Sequence, residues 1–482
     1  MTASSSAAAS SSNAATNSAG PLWARLSARY RVELMLFGFA FFAYALSSWG
    51  MFWQQSHAPQ FVWQADGFLH GHLDVAKPPN LNDWVLQEGR WYSSFPPFPA
   101  VLMMPLVAIF GLAFNDTVFT IAFAALNVAL IYRFLRELSQ QGEELSAAPG
   151  AVLRDSADHA WLALLFGFGT VAWSCSIRGE VWYTAETVGV TLTLCYLLAS
   201  LHARAPMLAG LALGCATITR TPLAFSIVFF VLEAILSPAP GADARDREES
   251  GKSRRAQKNA SLRGQAEKGV HAPDRAQLEV PRATLSAIRD ALTNPAQRAL
   301  AFKRLVLFAI PLAAVGLPMA AMNIARFGSA GEFGHSHLYM NRVNEQVAKY
   351  GLFNYAFLER NLHAAFTRLP QIEFNPFKLG FDAHGISILV TTPLFLFLLW
   401  PMRTPRITRA LWLTVAAVSV PGFFYQNDGF AQFGFRFSLD YTPYLFALLS
   451  LGARPLNGLF WAVAFFGVAV NAWGATVFNR FF

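Results

Sequence analysis

The recurring long apolar runs constrain this chain more than any other feature. They include ELMLFGFAFFAYALSSWGMFW (33–53), TVFTIAFAALNVALIY (117–132), ALLFGFGTVAW (163–173) and VGVTLTLCYLLASL (188–201). Others are LVLFAIPLAAVGLPMAAM (305–322), SILVTTPLFLFLLW (387–400), ALWLTVAAVSVPGFF (410–424) and LFWAVAFFGVAVNAW (459–473). A helix crosses a bilayer with about 20 consecutive apolar residues, and backbone inside lipid must bond to itself. Of the 482 residues, 54% are hydrophobic and 14% charged, against about 25% charged in a soluble domain. The sequence therefore predicts an all-α integral membrane protein. The expected form is a polytopic bundle of roughly ten to twelve transmembrane helices with two structured outer-face loops.

Loop charge sets the orientation. Arg25, Arg29 and Arg31 precede the first span, and Arg133 and Arg136 end the run at 117–132. By the positive-inside rule both ends face the cytoplasm. The segment 96–114 then lies in the interface instead of crossing, and Pro96, Pro97, Pro99 and Pro105 disfavour a straight spanning helix there. A net charge of +8 reads as this loop asymmetry, not as a nucleic-acid surface. Cys175, Cys195 and Cys215 form no CxxC and are expected as buried free thiols, neither disulfides nor metal ligands.

Four regions follow: a disordered cytoplasmic tail at 1–30, a membrane module at 31–237, a basic insert at 238–304 and a second membrane module at 305–482. The first module carries an outer loop at 54–95, the second an outer loop at 326–385. The insert, with GADARDREESGKSRRAQKNASLRGQAEKG, is charged and free of aromatics. It is expected to be disordered and cytoplasmic, ending in a weak amphipathic helix at 281–304. Polar side chains concentrate on the outer face, in the two long loops and in SCSIRGEVWYTAE (174–186) and YQNDGFAQFGFRFSLD (425–440).

The order of these outer pieces carries a resemblance. FLHGHLD (68–74) is followed by GRWYSSFPPFP (89–99), an apolar segment, and a helix ending RFLREL (133–138). Later come AGLALGCATITRTP (209–222), NIARFGSAGEFG (323–334) and QFGFRFSLDYTP (432–443). Together these resemble the GT-C class of membrane glycosyltransferases, the protein mannosyltransferases and lipid A aminoarabinose transferases. The resemblance spans about 30–480 and is diffuse; only the loop order and the FPPFP region are moderately specific. It implies transfer of a sugar from a polyprenyl-phosphate carrier to a glycan, lipid or protein acceptor at the outer face. The expected location is the bacterial inner membrane, with the N-terminus cytoplasmic and membrane lipids as surroundings. Two departures stand out. The family's acidic position after the first helix reads Ser56-His57, and its Glu-Lys-Pro element reads Ser94-Phe95-Pro96.

An inverting transfer needs a base for the acceptor hydroxyl and cations for the leaving phosphate. Asp66, in WQADGFLHG, is either that base or a turn residue. His57 occupies the family's acidic position and titrates near neutrality, or is polar surface. Glu180 and Glu186 are the second acid, or Glu180 is half of a weak surface pair with Arg178. Arg178, Arg220 and Arg436 are the candidate phosphate ligands, with Asp440 orienting Arg436 or simply paired to it. Tyr92 is a substrate-binding aromatic or a member of the interfacial belt. No metal ligand set is assigned, and no cofactor is required. A divalent metal is conceivable at His335 and His337 beside Glu332, a pair without a fixed third ligand. The rival readings are a lipid or solute transporter or flippase, and a catalytically inactive GT-C-like protein. The absence of an evident repeat speaks against the transporter, and the missing acid supports the inactive form.

Overall fold

The computed structural model describes residues 29–78, 80–140, 151–238, 280–339 and 341–478. Residues 1–28 of the expected tail at 1–30 and most of the basic insert lie outside the described residues. The described residues form a helical bundle with two short antiparallel hairpins. Among the described residues, four helices are long and apolar enough to cross a membrane: Asp116–Ser139, Val181–Ala203, Pro295–Phe327 and Gly458–Val477. The first helix, Arg31–Ser47, and the helix Ile407–Phe423 are slightly shorter.

The outward faces of these helices are apolar. Phe302, Ile310, Leu317 and Ile324 are exposed along one long helix, and Leu34, Phe39, Phe42 and Leu46 along the first. Water would penalise such stripes, and hydrocarbon would not. Of the three free cysteines expected to be buried, Cys175 and Cys215 are, whereas Cys195 is exposed. The Pro295–Phe327 helix touches the bundle through Pro206–Thr217. There Gly210 and Gly214 sit against Phe308 and Val315, so the two backbones approach closely; this is the small-xxx-small device of membrane helices.

Where local chemistry breaks a run, the structure departs from the sequence expectation. The long helix begins at Pro295, ten residues before the expected span, because Asn294 Oδ1 caps Ala296 and Gln297 and Pro295 fits the first helical position. Ahead of it, Val280–Thr293 is a separate helix. The run 387–400 is not one span. Thr392 precedes Pro393 and leaves the helical region (φ −139°, ψ 62°), dividing Ile388–Thr391 from the 3₁₀ turn Pro393–Leu399.

The segment GRWYSSFPPFP begins as a strand. β1 (Trp84–Gln87) pairs with β2 (Arg90–Ser93), Gln87 opposite Arg90. Glu88 and Gly89 both have positive φ (51° and 76°), as a type I′ turn requires. A second hairpin joins β3 (Gln371–Phe374) to β4 (Phe377–Gly380). After Pro96-Pro97 the helix Phe98–Phe110 spans 13 residues, about 20 Å and short of a bilayer core. Both of its ends are tied to the same end of the bundle. Phe98 N donates to Ile218 O (3.0 Å), and Gln55 Nε2 donates to Leu112 O (2.6 Å) and Phe114 O (2.8 Å).

The bundle has two unlike ends. At one, Glu33 faces Arg133 (3.5 Å) and Arg136 (3.4 Å), and Arg133 pairs with Glu137 (2.7 Å). The other lies about 25 Å away along the Asp116–Gln140 helix; there the polar residues of the 54–60, 177–186, 218–222 and 425–440 segments meet.

Candidate functional site

The site begins where the first helix ends. The chain turns after Trp53, and Ser56 donates twice to Asp116, from N to Oδ1 (2.8 Å) and from Oγ to Oδ2 (2.6 Å). Asp116 is free for this because its neighbour Asn115 caps the helix, its Oδ1 accepting from the amides of Thr117 and Val118. Next, His57 Nδ1 lies 3.0 Å from Glu180 Oε1, and Asn80 Nδ2 donates to His57 O (2.7 Å). Neither residue at the family's acidic position is a carboxylate, yet each holds a carboxylate brought from elsewhere in the chain.

Glu180 precedes the Val181–Ser200 helix and does not cap it with its side chain. Its carboxylate instead lies between His57 and Arg178, whose Nε donates to Oε2 (3.1 Å) and whose Nη2 donates to Oε1. Both Arg178 and Glu180 are buried, so this is not the weak surface pair the short loop suggests. The turn holding them is fixed by Gly179, where a Cβ would sit 2.6 Å from the Thr117 amide nitrogen.

Two turns further along that helix is Glu186. Its Oε1 is 3.3 Å from Arg436 Nε and 3.5 Å from Arg220 Nη1, and Cys175 Sγ approaches Oε2 (3.6 Å). Arg220 holds Asp440 with two bonds, Nε to Oδ1 (2.6 Å) and Nη2 to Oδ2 (2.8 Å). The local pair Arg436–Asp440 therefore does not form; each partner turns to another helix. Tyr183 joins the two halves, with its ring 5.0 Å from the Arg178 guanidinium and 5.3 Å from that of Arg436. Phe437 lies beneath Arg220 (5.3 Å) and Arg436 (5.6 Å), and Tyr183 Oη donates to Ala431 O (3.0 Å).

The result is one connected chain of charges: His57, Glu180, Arg178, then across Tyr183 to Arg436, Glu186, Arg220 and Asp440. Its guanidinium and carboxylate side chains are at most 13% exposed, whereas the His57 side chain is 62% exposed. His57 is the solvent-facing terminus of a buried ionic network. The hydrogen bond to Glu180 raises the His57 pKa above its ordinary 6.5, outweighing burial. Burial pushes Glu180 up, but Arg178 and His57 pull it down to about 2. Burial likewise lowers Arg178, but Glu180 more than compensates. A carboxylate that fixes one imidazole nitrogen leaves the other free to exchange a proton.

Two expected residues stand apart. Asp66 Oδ1 is 3.7 Å from Nδ1 of His70, which caps the end of its own helix, and the Asp66 side chain is 34% exposed. Tyr92 packs edge-on against Phe327 (5.7 Å) in a small core with Val85 and Leu338. The two histidines of the HxH do not work together. His335 meets the edge of Phe95 (5.8 Å), His337 stacks on Phe327 (6.2 Å), and Glu332 Oε1 accepts from the amides of Gly334 and Ser336. Among the described residues, no three His, Cys, Asp or Glu side chains gather as a metal set. The residue that sequence reading missed is Asp116. Its position after Asn115, ahead of an apolar run, reads as helix capping, and only Asn115 performs that role.

No protein-family model matches the chain, and no curated protein matches it either. Among solved structures the chain is similar to an archaeal oligosaccharyltransferase. The match to the apo form from Archaeoglobus fulgidus covers 92% of this chain and 56% of that one, at 14% identity and a TM-score of 0.42. The AglB complex from Archaeoglobus fulgidus, with an inhibitory peptide and a dolichol-phosphate, is matched over 93% of this chain and 56% of that chain, at 12% identity and a TM-score of 0.40. The chain thus spans little more than half the length of these neighbours.

Proposed function

We propose that this chain is an inverting membrane glycosyltransferase, moving a sugar from a polyprenyl-phosphate carrier to a glycan, lipid or protein acceptor at the outer face of the bacterial inner membrane. The carrying observation is the His57–Glu180 pair at 3.0 Å, joined through Arg178 and Tyr183 to the buried Arg436–Glu186–Arg220–Asp440 group. In this reading His57 Nε2 takes the proton of the acceptor hydroxyl as its oxygen attacks the anomeric carbon. The bond from that carbon to the phosphate oxygen breaks, and polyprenyl phosphate leaves. Glu180 holds the imidazole in place and stabilises the imidazolium.

Arg220 and Arg436 face the leaving phosphate. Arg220 Nη1, 3.5 Å from Glu186, is the loosest link of its guanidinium and retains donors for a phosphate oxygen. Asp440 keeps that guanidinium in plane. The Phe98–Phe110 helix lies along the interface at the site's edge, and the basic end, with Arg133 and Arg136, faces the cytoplasm. The bundle is read as roughly ten to twelve crossings, the four long helices among them.

One observation favours a second reading, an inactive scaffold. The three arginines and three carboxylates of the network already neutralise one another, so the network needs no ligand to be stable. Complementation separates the two. A deletion strain should lose a sugar from an envelope glycan, with the wild-type gene restoring it and His57→Ala or Arg220→Gln failing to do so at equal protein level. Full restoration by both variants leaves only the scaffold.

A further inference from the structure

The loop 80–83 carries a carboxylate that the proposed mechanism does not use. Asp83 adopts φ +56°, a left-handed conformation that Asp tolerates better than most residues. The surrounding loop is fastened on several sides. Gln60 Nε2 donates to Asn82 O (2.8 Å), Asn82 N to Asn80 Oδ1 (2.8 Å), and Ser94 Oγ to Asp83 O (2.7 Å). So held, Asp83 Oδ2 accepts the indole N–H of Trp182 at 2.7 Å. Trp182 is two residues from Glu180 and meets Tyr183 edge-on at 6.5 Å.

Ser94, which holds Asp83 O, is followed by Phe95, the first of three more rings. His335 lies 5.8 Å from Phe95 and 6.5 Å from Tyr425, both edge to face. Asp83, Trp182, Phe95, His335 and Tyr425 are all half-buried. Burial lowers the His335 pKa and raises that of Tyr425 to about 12; Asp83 pushes both up and Arg220 pushes both down.

We infer that Asp83 and Trp182, with the rings of Phe95, His335 and Tyr425, form the subsite for the sugar ring of the donor, Asp83 accepting hydrogen bonds from its hydroxyls. This rests on the glycosyltransferase reading and adds to it. The chemistry selects this occupant. A carboxylate repels phosphate and gains nothing from an isoprenoid tail, whereas a sugar offers hydroxyl donors at its rim and C–H faces to aromatic rings. Asp83 receives the sugar while Arg220 receives the phosphate. As a binding residue Asp83 is separable from the base.

The test uses the full chain in nanodiscs and two kinds of probe. One is citronellyl phosphate, a short sugar-free carrier. The other is a panel of citronellyl-phosphate esters of hexoses, N-acetylhexosamines and pentoses. The wild type is expected to bind at least one sugar ester about tenfold tighter than the sugar-free phosphate, as one charge-assisted hydrogen bond allows. Asp83→Asn keeps an oxygen for Trp182. It should erase that preference while leaving the citronellyl phosphate Kd within twofold, and Trp182→Phe should reduce the preference. An Asp83→Asn protein that keeps the full preference overturns the subsite but leaves the donor class standing. A wild type that binds no probe removes the glycosyltransferase reading and the subsite together.

Discussion

His57 Nδ1 and Glu180 Oε1 lie 3.0 Å apart, although five α-helices of the described residues lie between them in the chain. That contact joins an exposed imidazole to a buried ion network and determines how the site responds to pH. The His57 pKa is raised above 6.5, chiefly by the hydrogen bond to Glu180. The base works when neutral, so turnover should rise with pH through that raised value. Glu180→Gln should move the rise to lower pH and lower the plateau, read from a pH–rate profile. The stability sign is opposite. The pair's contribution is fully present below pH 6.5 and fades as pH climbs through the folded pKa. A profile unmoved by Glu180→Gln contradicts the pairing.

Gly179→Ala tests the turn that places Glu180. A Cβ there would stand 2.6 Å from the Thr117 amide nitrogen and 2.8 Å from Asp116 Oδ1. Backbone cannot yield cheaply at that distance, so the 178–180 turn must lift from the Asp116–Gln140 helix. The expected outcome is a lower Tm and a His57 pKa returning toward 6.5, measured by imidazole NMR. An unchanged His57 titration shows that the turn does not control the pair.

The Arg220–Asp440 pair makes a separate prediction. Asp440→Ala strands a buried guanidinium and should cost about 3–5 kcal/mol, whereas Arg220→Leu with Asp440→Leu should recover most of that loss. Thermal unfolding in one detergent reads both. The double variant should stay inactive in sugar transfer despite its recovered stability. Single and double variants of equal stability rule out an uncompensated charge as the cause.

Much of the helical fold was legible from 482 residues because length and apolarity specify a membrane helix directly. The hairpin over 84–93 was not, because its turn is Glu88-Gly89 and the Asn-Gly or Asp-Gly signal is absent. At the site, His57, Arg178, Glu180, Glu186, Arg220, Arg436 and Asp440 were visible as charges at the ends of apolar runs. Their partners were not. Arg220 finds Asp440 across 220 residues, while the near neighbours Arg436 and Asp440 ignore each other. Asp66 was singled out for being the nearest acid in sequence, and its carboxylate faces His70, which caps the end of its own helix. Sequence shows which groups must be neutralised in a membrane, and only packing shows by which partner.

The hairpin itself is testable. Gly89 at φ 76° makes Gly89→Val cost about 1–2 kcal/mol or more, since a side chain there meets the left-handed penalty. Limited proteolysis should then cut the 84–93 loop faster. Unchanged cleavage argues against the Gln87–Arg90 register.

The most direct measurement is turnover itself. Proteoliposomes holding the full chain would be given radiolabelled polyprenyl-phosphate sugars and an envelope extract as acceptor, and release of free polyprenyl phosphate would be followed. The wild type is expected to turn over at least one donor, with His57→Ala slower by about 10²–10⁴-fold and the loss not rescued by raising donor concentration. Equal rates for wild type and His57→Ala, or no turnover of any donor by the wild type, would contradict the account.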